Sequence, residues 1–178
     1  TTLDGTERTL TDDMLLIKDA ERGIAIAGVM GGLNSEIEED TKTIIVESAN
    51  FAGSSVRTTS KKLGLRTEAS ARFEKGIDPN LCEAAADRVC RLIELTGAGK
   101  VCKGSVDNYP VPEEAKTIDI RVDRINRVLG IELERQEMVD ILESLEIKVA
   151  GSGNIMTVTP PTIRQDLLEE DEWDVGVI

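Results

Sequence analysis

Short apolar runs broken by polar turns fill the first fifty residues. Met14-Leu15-Leu16-Ile17 is one such run, followed by a polar turn from Asp19 to Gly23. Ile24-Ala25-Ile26-Ala27-Gly28-Val29 then reads as a buried strand that ends in Gly31-Gly32. Asp40-Thr41-Lys42 leads into Thr43-Ile44-Ile45-Val46-Glu47, whose β-branched side chains predict a further strand. After that the apolar period lengthens to that of a helix. Ser54 or Ser55 suits the cap of a turn that contains Val56 and Leu63 and stops at Gly64. The clearest helix follows Asp78-Pro79, with Asp78 as N-cap and Pro79 as first helical residue. Cys82, Ala85, Ala86, Val89 and Ile93 form its apolar stripe, Glu83, Asp87, Arg91 and Glu94 lie opposite, and Gly97 ends it.

Pro110 and Pro112 suit neither helix nor inner strand, so 109–116 reads as a linker between a module over 1–108 and a second over 117–178. In the second, Val122, Ile125, Val128 and Leu129 predict a helix stopped by Gly130. Met138, Ile141, Leu142 and Leu145 predict another. Ile147-Lys148-Val149, the turn Gly151-Ser152-Gly153-Asn154 and Met156-Thr157-Val158 read as a hairpin. The fold class is therefore α+β: a β-rich module with packed helices, then a small helical winged-helix-like module.

Composition adds exclusions. Aromatic residues make up only 2% of the 178, so the core is aliphatic. No apolar run approaches the roughly 20 residues that span a bilayer, and no charged-then-apolar leader is present. Cys82, Cys90 and Cys102 are odd in number and lack C-x-x-C spacing, which speaks against a disulfide framework or a zinc site. Burial is the ordinary expectation for Cys82 and Cys90, and a cytoplasmic protein fits best. Histidine is absent, which removes Ser-His and Cys-His nucleophile pairs and His-ligated zinc from this chain. The net charge of -13 argues against an autonomous nucleic-acid binder. Between Val56 and Gly76, however, six cations (Arg57, Lys61, Lys62, Arg66, Arg72, Lys75) face only Glu68 and Glu74, a local charge of +4. A solvated face explains that equally well. Gly28-x-x-Gly31-Gly32 lacks the spacing of a phosphate loop or dinucleotide fingerprint and reads as a tight strand-end turn.

Longer motifs say more. Ala25-Ile26-Ala27-Gly28-Val29-Met30-Gly31-Gly32, Gly64-Leu65-Arg66-Thr67-Glu68-Ala69-Ser70 and Arg72-Phe73-Glu74-Lys75-Gly76-Ile77-Asp78-Pro79 occur in that order, with Glu47 between the first two. Together they resemble the editing module of the bacterial phenylalanyl-tRNA synthetase β subunit. Pro160-Pro161-Thr162-Ile163-Arg164-Gln165-Asp166 resembles the end of the small winged-helix-like module that follows it there.

The resemblance implies hydrolysis of tyrosine wrongly attached to phenylalanine tRNA, because a pocket shaped for phenylalanine rejects a near-isostere poorly. By motif, Glu47 matches the glutamate that grips the misattached amino acid and its phenol. Gly31 matches a pocket glycine, and Thr67 and Ala69 match the lining pair, Thr67 orienting the hydrolytic water and Ala69 keeping the floor small. Without the resemblance, Glu47 reads as an edge-strand carboxylate and Thr67 as the N-cap of a helix through Ala71. The family places a histidine upstream of the matching region, so the 1–108 module is expected to lack an N-terminal part and to be a weak or inactive editor alone. Asp166 matches the first carboxylate of an acidic Mg²⁺-associated segment, continued here by 167–174 in a module truncated at its C-terminus. The whole enzyme is expected to be an α2β2 assembly with an α subunit that uses ATP and Mg²⁺ for aminoacylation of tRNA(Phe), with no membrane contact. The editing pocket itself is expected to need no cofactor. The alternative is a non-catalytic scaffold that binds tRNA or another nucleic acid.

Overall fold

A computed structural model of the chain describes residues 1–167 and 170. It divides into two units, Thr1–Asn108 and Tyr109–Ile178. Among the described residues the secondary structure is mixed, two three-stranded sheets and five α-helices, so the fold is α+β.

In the first unit β1 (Leu16–Lys18) pairs antiparallel with β2 (Gly23–Ile26). The turn between them is held by Asp19, whose Oδ1 accepts the N–H groups of Glu21 at 2.8 Å and Arg22 at 2.7 Å. The apolar run expected to continue as one strand to Val29 instead folds back on itself. Gly28 adopts a left-handed φ of +68°, and β3 (Met30–Gly31) returns beside β2 with Ile26 opposite Met30. A Cβ at Gly28 would lie 2.9 Å from Val56 Cγ2 and 3.2 Å from the Phe51 ring, so glycine is needed for space as well as for φ.

The predicted strand Thr43–Glu47 is not formed. Residues 41–52 carry no regular structure, and Ile45 is 95% exposed. β-branched residues favour a strand only against a neighbour that takes up their backbone hydrogen bonds, and no described segment does so.

Helix α1 (Gly53–Lys62) starts at Ala52, not at Ser54 or Ser55, and has no side-chain cap. It is held by packing: Val56 is buried, and Phe51 lies 5.1 Å from Phe73 between ring centroids. Helix α2 (Glu68–Phe73) packs on α1. Asp78 accepts the Asn80 N–H at 2.9 Å and starts a 3-10 turn over Pro79–Leu81 that runs into α3 (Cys82–Leu95). The expected stripe is present on α3 but is not a core. None of its residues is buried, and Cys82 and Cys90 are half-buried, because few described residues pack over it. The core of this unit is Ile26, Val29, Val56 and Leu65, flanked by Leu16, Phe51 and Phe73.

The second unit is built around β6 (Ile155–Thr159), flanked by β4 (Ile118–Arg121) on one side and β5 (Lys148–Ala150) on the other. β5, the glycine turn and β6 form the predicted hairpin, with Val149 opposite Val158. β4 was missing from the sequence expectation, although Ile118 and Ile120 alternate with Asp119 and Arg121 as a strand requires. The two predicted helices, α4 (Val122–Leu129) and α5 (Arg135–Ser144), are present, and Gly130 closes α4 at a φ of +69°. Ile120, Ile125, Met138, Leu142, Ile147, Met156 and Val158 are almost fully buried together. No described helix is long and apolar enough to cross a membrane.

Candidate functional site

Thr67 is the best-defined of the residues singled out in the sequence. It is the N-cap of α2, as the capping alternative proposed, but its side chain does more than cap. Its Oγ1 accepts the Ser70 N–H at 3.1 Å and donates to the Val29 carbonyl at 2.7 Å. A carbonyl can only accept, so the single hydroxyl hydrogen is committed to Val29. One lone pair of Oγ1 remains for a further donor. Val29 lies in the tight turn just before β3, so this bond pins the start of α2 to the strand that carries Gly31.

Ser70 completes the arrangement. It is fully buried, its Oγ donates to the Thr67 carbonyl at 3.0 Å, and it accepts the Thr67 N–H at 2.9 Å. Ser60 Oγ lies 3.4 Å behind it and donates to the Leu65 carbonyl at 2.8 Å. Sequence reasoning missed Ser60, Ser70 and the Val29 carbonyl. The T-x-x-S spacing of a capping box was the available signal for Ser70; nothing in the sequence pointed to Ser60 or to a carbonyl thirty-eight residues upstream of Thr67.

Ala69 is half-buried in the first turn of α2, two residues past Thr67. Gly31 lies in β3 opposite Ala25; the Leu3 N–H donates to its carbonyl at 3.0 Å, and a Cβ there would meet Leu3 Cδ1 at 3.0 Å. Thr67, Ala69 and Gly31 are thus joined through the Val29 bond. Glu47 is not drawn into that junction by any described hydrogen bond or ion pair. It sits on the irregular stretch, and partial burial pushes its carboxyl above the ordinary glutamate range with no cation to offset it. Two hollows of about 380 and 260 Å³ lie in this unit, the first lined by Thr2, Arg8, Leu16, Ile24 and Leu33 among others, the second by Asp13, Phe51, Val56 and Thr59 among others. Neither includes Gly31, Glu47, Thr67 or Ala69.

The basic segment is partly neutralised. Lys62 pairs with Asp13 at 2.6 Å, Arg66 with Glu74 at 3.4 Å and Arg72 with Glu68 at 3.8 Å. The Lys62 ammonium holds the Asp13 carboxyl below its ordinary range. In the second unit Asp166 is gripped by Arg164 through both carboxylate oxygens, at 2.9 and 2.8 Å, which lowers its pKa. No group of three potential cation ligands lies among the described residues. Residues 168, 169 and 171–174 of the segment in the magnesium expectation lie outside the described residues. Glu170 is held by Arg121, with contacts of 2.8 to 3.0 Å, and draws in Arg124 at 3.9 Å.

A B3/4 domain model matches residues 1–97 and a tRNA synthetase B5 domain model matches residues 118–175. Curated relatives named phenylalanine–tRNA ligase beta subunit include one from Clostridium tetani, 48% identical over 94% of this chain and 21% of the relative. One from Geobacter metallireducens is 46% identical over 96% of this chain and 21% of its own length. One from Bacillus subtilis is 43% identical over 95% and 22%. The chain therefore spans about a fifth of the length of the relatives it matches.

Proposed function

This chain belongs to the B3/4 domain family, in the form that phenylalanine–tRNA ligase β subunits carry with a B5 domain behind it, and from that premise we propose that its first unit hydrolyses tyrosine misattached to tRNA(Phe). The observation that carries the reading is the fixed polarity of Thr67. With its hydrogen given to Val29 and one lone pair given to Ser70, Oγ1 can only accept from a third partner. A water bound there donates one hydrogen to Thr67 and keeps its own lone pairs for the ester carbonyl carbon. Thr67 thus orients the nucleophile without deprotonating it. Attack breaks the bond from the carbonyl carbon to the ribose oxygen, the water's proton passes to that oxygen, and free tyrosine and tRNA leave.

Discrimination falls to Glu47. Its carboxylate has no donor among the described residues, and a phenol O–H supplies one where a bare phenyl ring cannot. One hydrogen bond to a charged group contributes about 1.5–3 kcal/mol, roughly ten- to hundredfold in preference. Ala69 keeps the first turn of α2 small, and Gly31 leaves room beside Leu3. Around this site the whole ligase supplies the rest: a second, α subunit in an α2β2 assembly, ATP and Mg²⁺ for aminoacylation, and tRNA(Phe) as the shared substrate.

The test is Ala69→Trp in the whole ligase that contains this segment. Clearance of tyrosyl-tRNA(Phe) is expected to fall about 10²-fold, the scale of a misplaced substrate, with aminoacylation intact. Unchanged clearance places the site elsewhere.

A further inference from the structure

Thr67 can serve as a one-way acceptor only if its side chain stays in the rotamer that reaches the Val29 carbonyl. Thr67 is the N-cap, with extended backbone, and its side chain has more than one staggered rotamer open to it. The capping bond from Ser70 N–H fixes where Oγ1 accepts, but the backbone of Thr67 must also be held for Oγ1 to meet Val29 at 2.7 Å. That backbone is clasped on both sides by a single buried atom. Ser70 Oγ accepts the Thr67 N–H at 2.9 Å and donates to the Thr67 carbonyl at 3.0 Å, while Ser60 Oγ fills the space behind it at 3.4 Å. Ser70 has no exposure to solvent and Ser60 has 6%, so neither hydroxyl exchanges these partners for water.

We infer that Ser70 is a positioning residue for the hydrolysis: its hydroxyl sets the Thr67 backbone so that the Thr67 side chain presents a lone pair, and not a hydrogen, to the attacking water. The inference rests on the role given to Thr67 above. Ser70 touches neither water nor substrate and acts through Thr67 alone. An ordinary helix cap would also use a Ser70 hydroxyl, so the two roles must be separated by a measurement to which capping is blind.

That measurement is a double-mutant cycle in the whole ligase containing this segment, read as kcat and KM for tyrosyl-tRNA(Phe) hydrolysis. Thr67→Val removes the hydroxyl and keeps the shape. Ser70→Ala removes only the clasp. If Ser70 works through Thr67, Ser70→Ala lowers kcat about tenfold at unchanged KM, a loss of orientation rather than of binding. In the Thr67→Val background it then lowers kcat no further, because nothing remains to position. If Thr67→Val lowers kcat but Ser70→Ala does not, or if the two losses multiply, Ser70 is only a cap and the inference is overturned while the reading of Thr67 stands. If Thr67→Val itself leaves hydrolysis unchanged, the reading of Thr67 fails and takes the inference with it. Should Ser70→Ala fail to fold, Ser70→Cys keeps a side chain of similar shape with a weaker donor, and the same three outcomes apply to it.

Discussion

The two units solve the problem of burial in opposite ways. The second packs Ile120, Met138, Leu142, Met156 and Val158 to zero exposure around one sheet and two helices. The first, although longer, clusters Ile26, Val29, Val56 and Leu65 as its buried core, and leaves Ile44, Ile45 and the stripe of α3 open. Its order near the candidate site comes also from directional contacts, the chain of hydroxyls from Ser60 through Ser70 and Thr67 to Val29. Packing fixes a fold cheaply but positions no proton; a hydrogen-bonded junction positions protons at the cost of a thinner core. The unit proposed to do chemistry is the one held also by the second means.

The contrast can be broken first in the dense core. Met156→Ala removes a side chain with no exposure at the centre of β6, and is expected to lower the stability of the second unit by about 2–5 kcal/mol. Hydrogen exchange of the β5 and β6 amides checks it. A loss below about 1 kcal/mol would mean that this core relaxes as readily as a loose one.

A smaller and sharper comparison sets one glycine from each unit side by side. Gly28 and Gly130 have nearly equal φ, +68° and +69°, but a Cβ on Gly28 would strike Val56 whereas one on Gly130 meets nothing within 4 Å. Gly130→Ala therefore costs only the left-handed backbone, about 1–2 kcal/mol. Gly28→Ala adds overpacking at the turn that feeds Thr67 and is expected to cost about 1–3 kcal/mol more. Thermal unfolding of the two variants ranks them; equal losses would show that the Phe51–Val56–Phe73 cluster yields freely.

The sequence was legible where a periodic pattern coincided with a local partner. The β5–β6 hairpin, α4, α5 and the Asp78-Pro79 start needed only their own residues and appear as read. It misled where the partner was remote or absent. Ile24–Val29 looked like one strand because nothing in apolar periodicity marks a turn, and only the φ of Gly28 reveals it. Among the described residues, Thr43–Glu47 has every local strand preference and no strand to pair with, and α3 has a stripe with little over it. At the candidate site, motif order pointed to Thr67, Ala69, Gly31 and Glu47. The bond that joins Thr67 to the Gly31 strand ends on a backbone carbonyl, which no side-chain pattern can announce.

Glu47, which lies outside the Thr67 junction, is the residue proposed to tell a phenol from a bare ring. Titrating the chain with tyrosine and separately with phenylalanine, while following the amide signals of Gly31, Glu47, Thr67 and Ala69, tests this role most directly. Tyrosine is expected to shift all four and to bind roughly ten- to hundredfold more tightly than phenylalanine. Equal affinities, or shifts that leave Thr67 and Glu47 untouched, would contradict it.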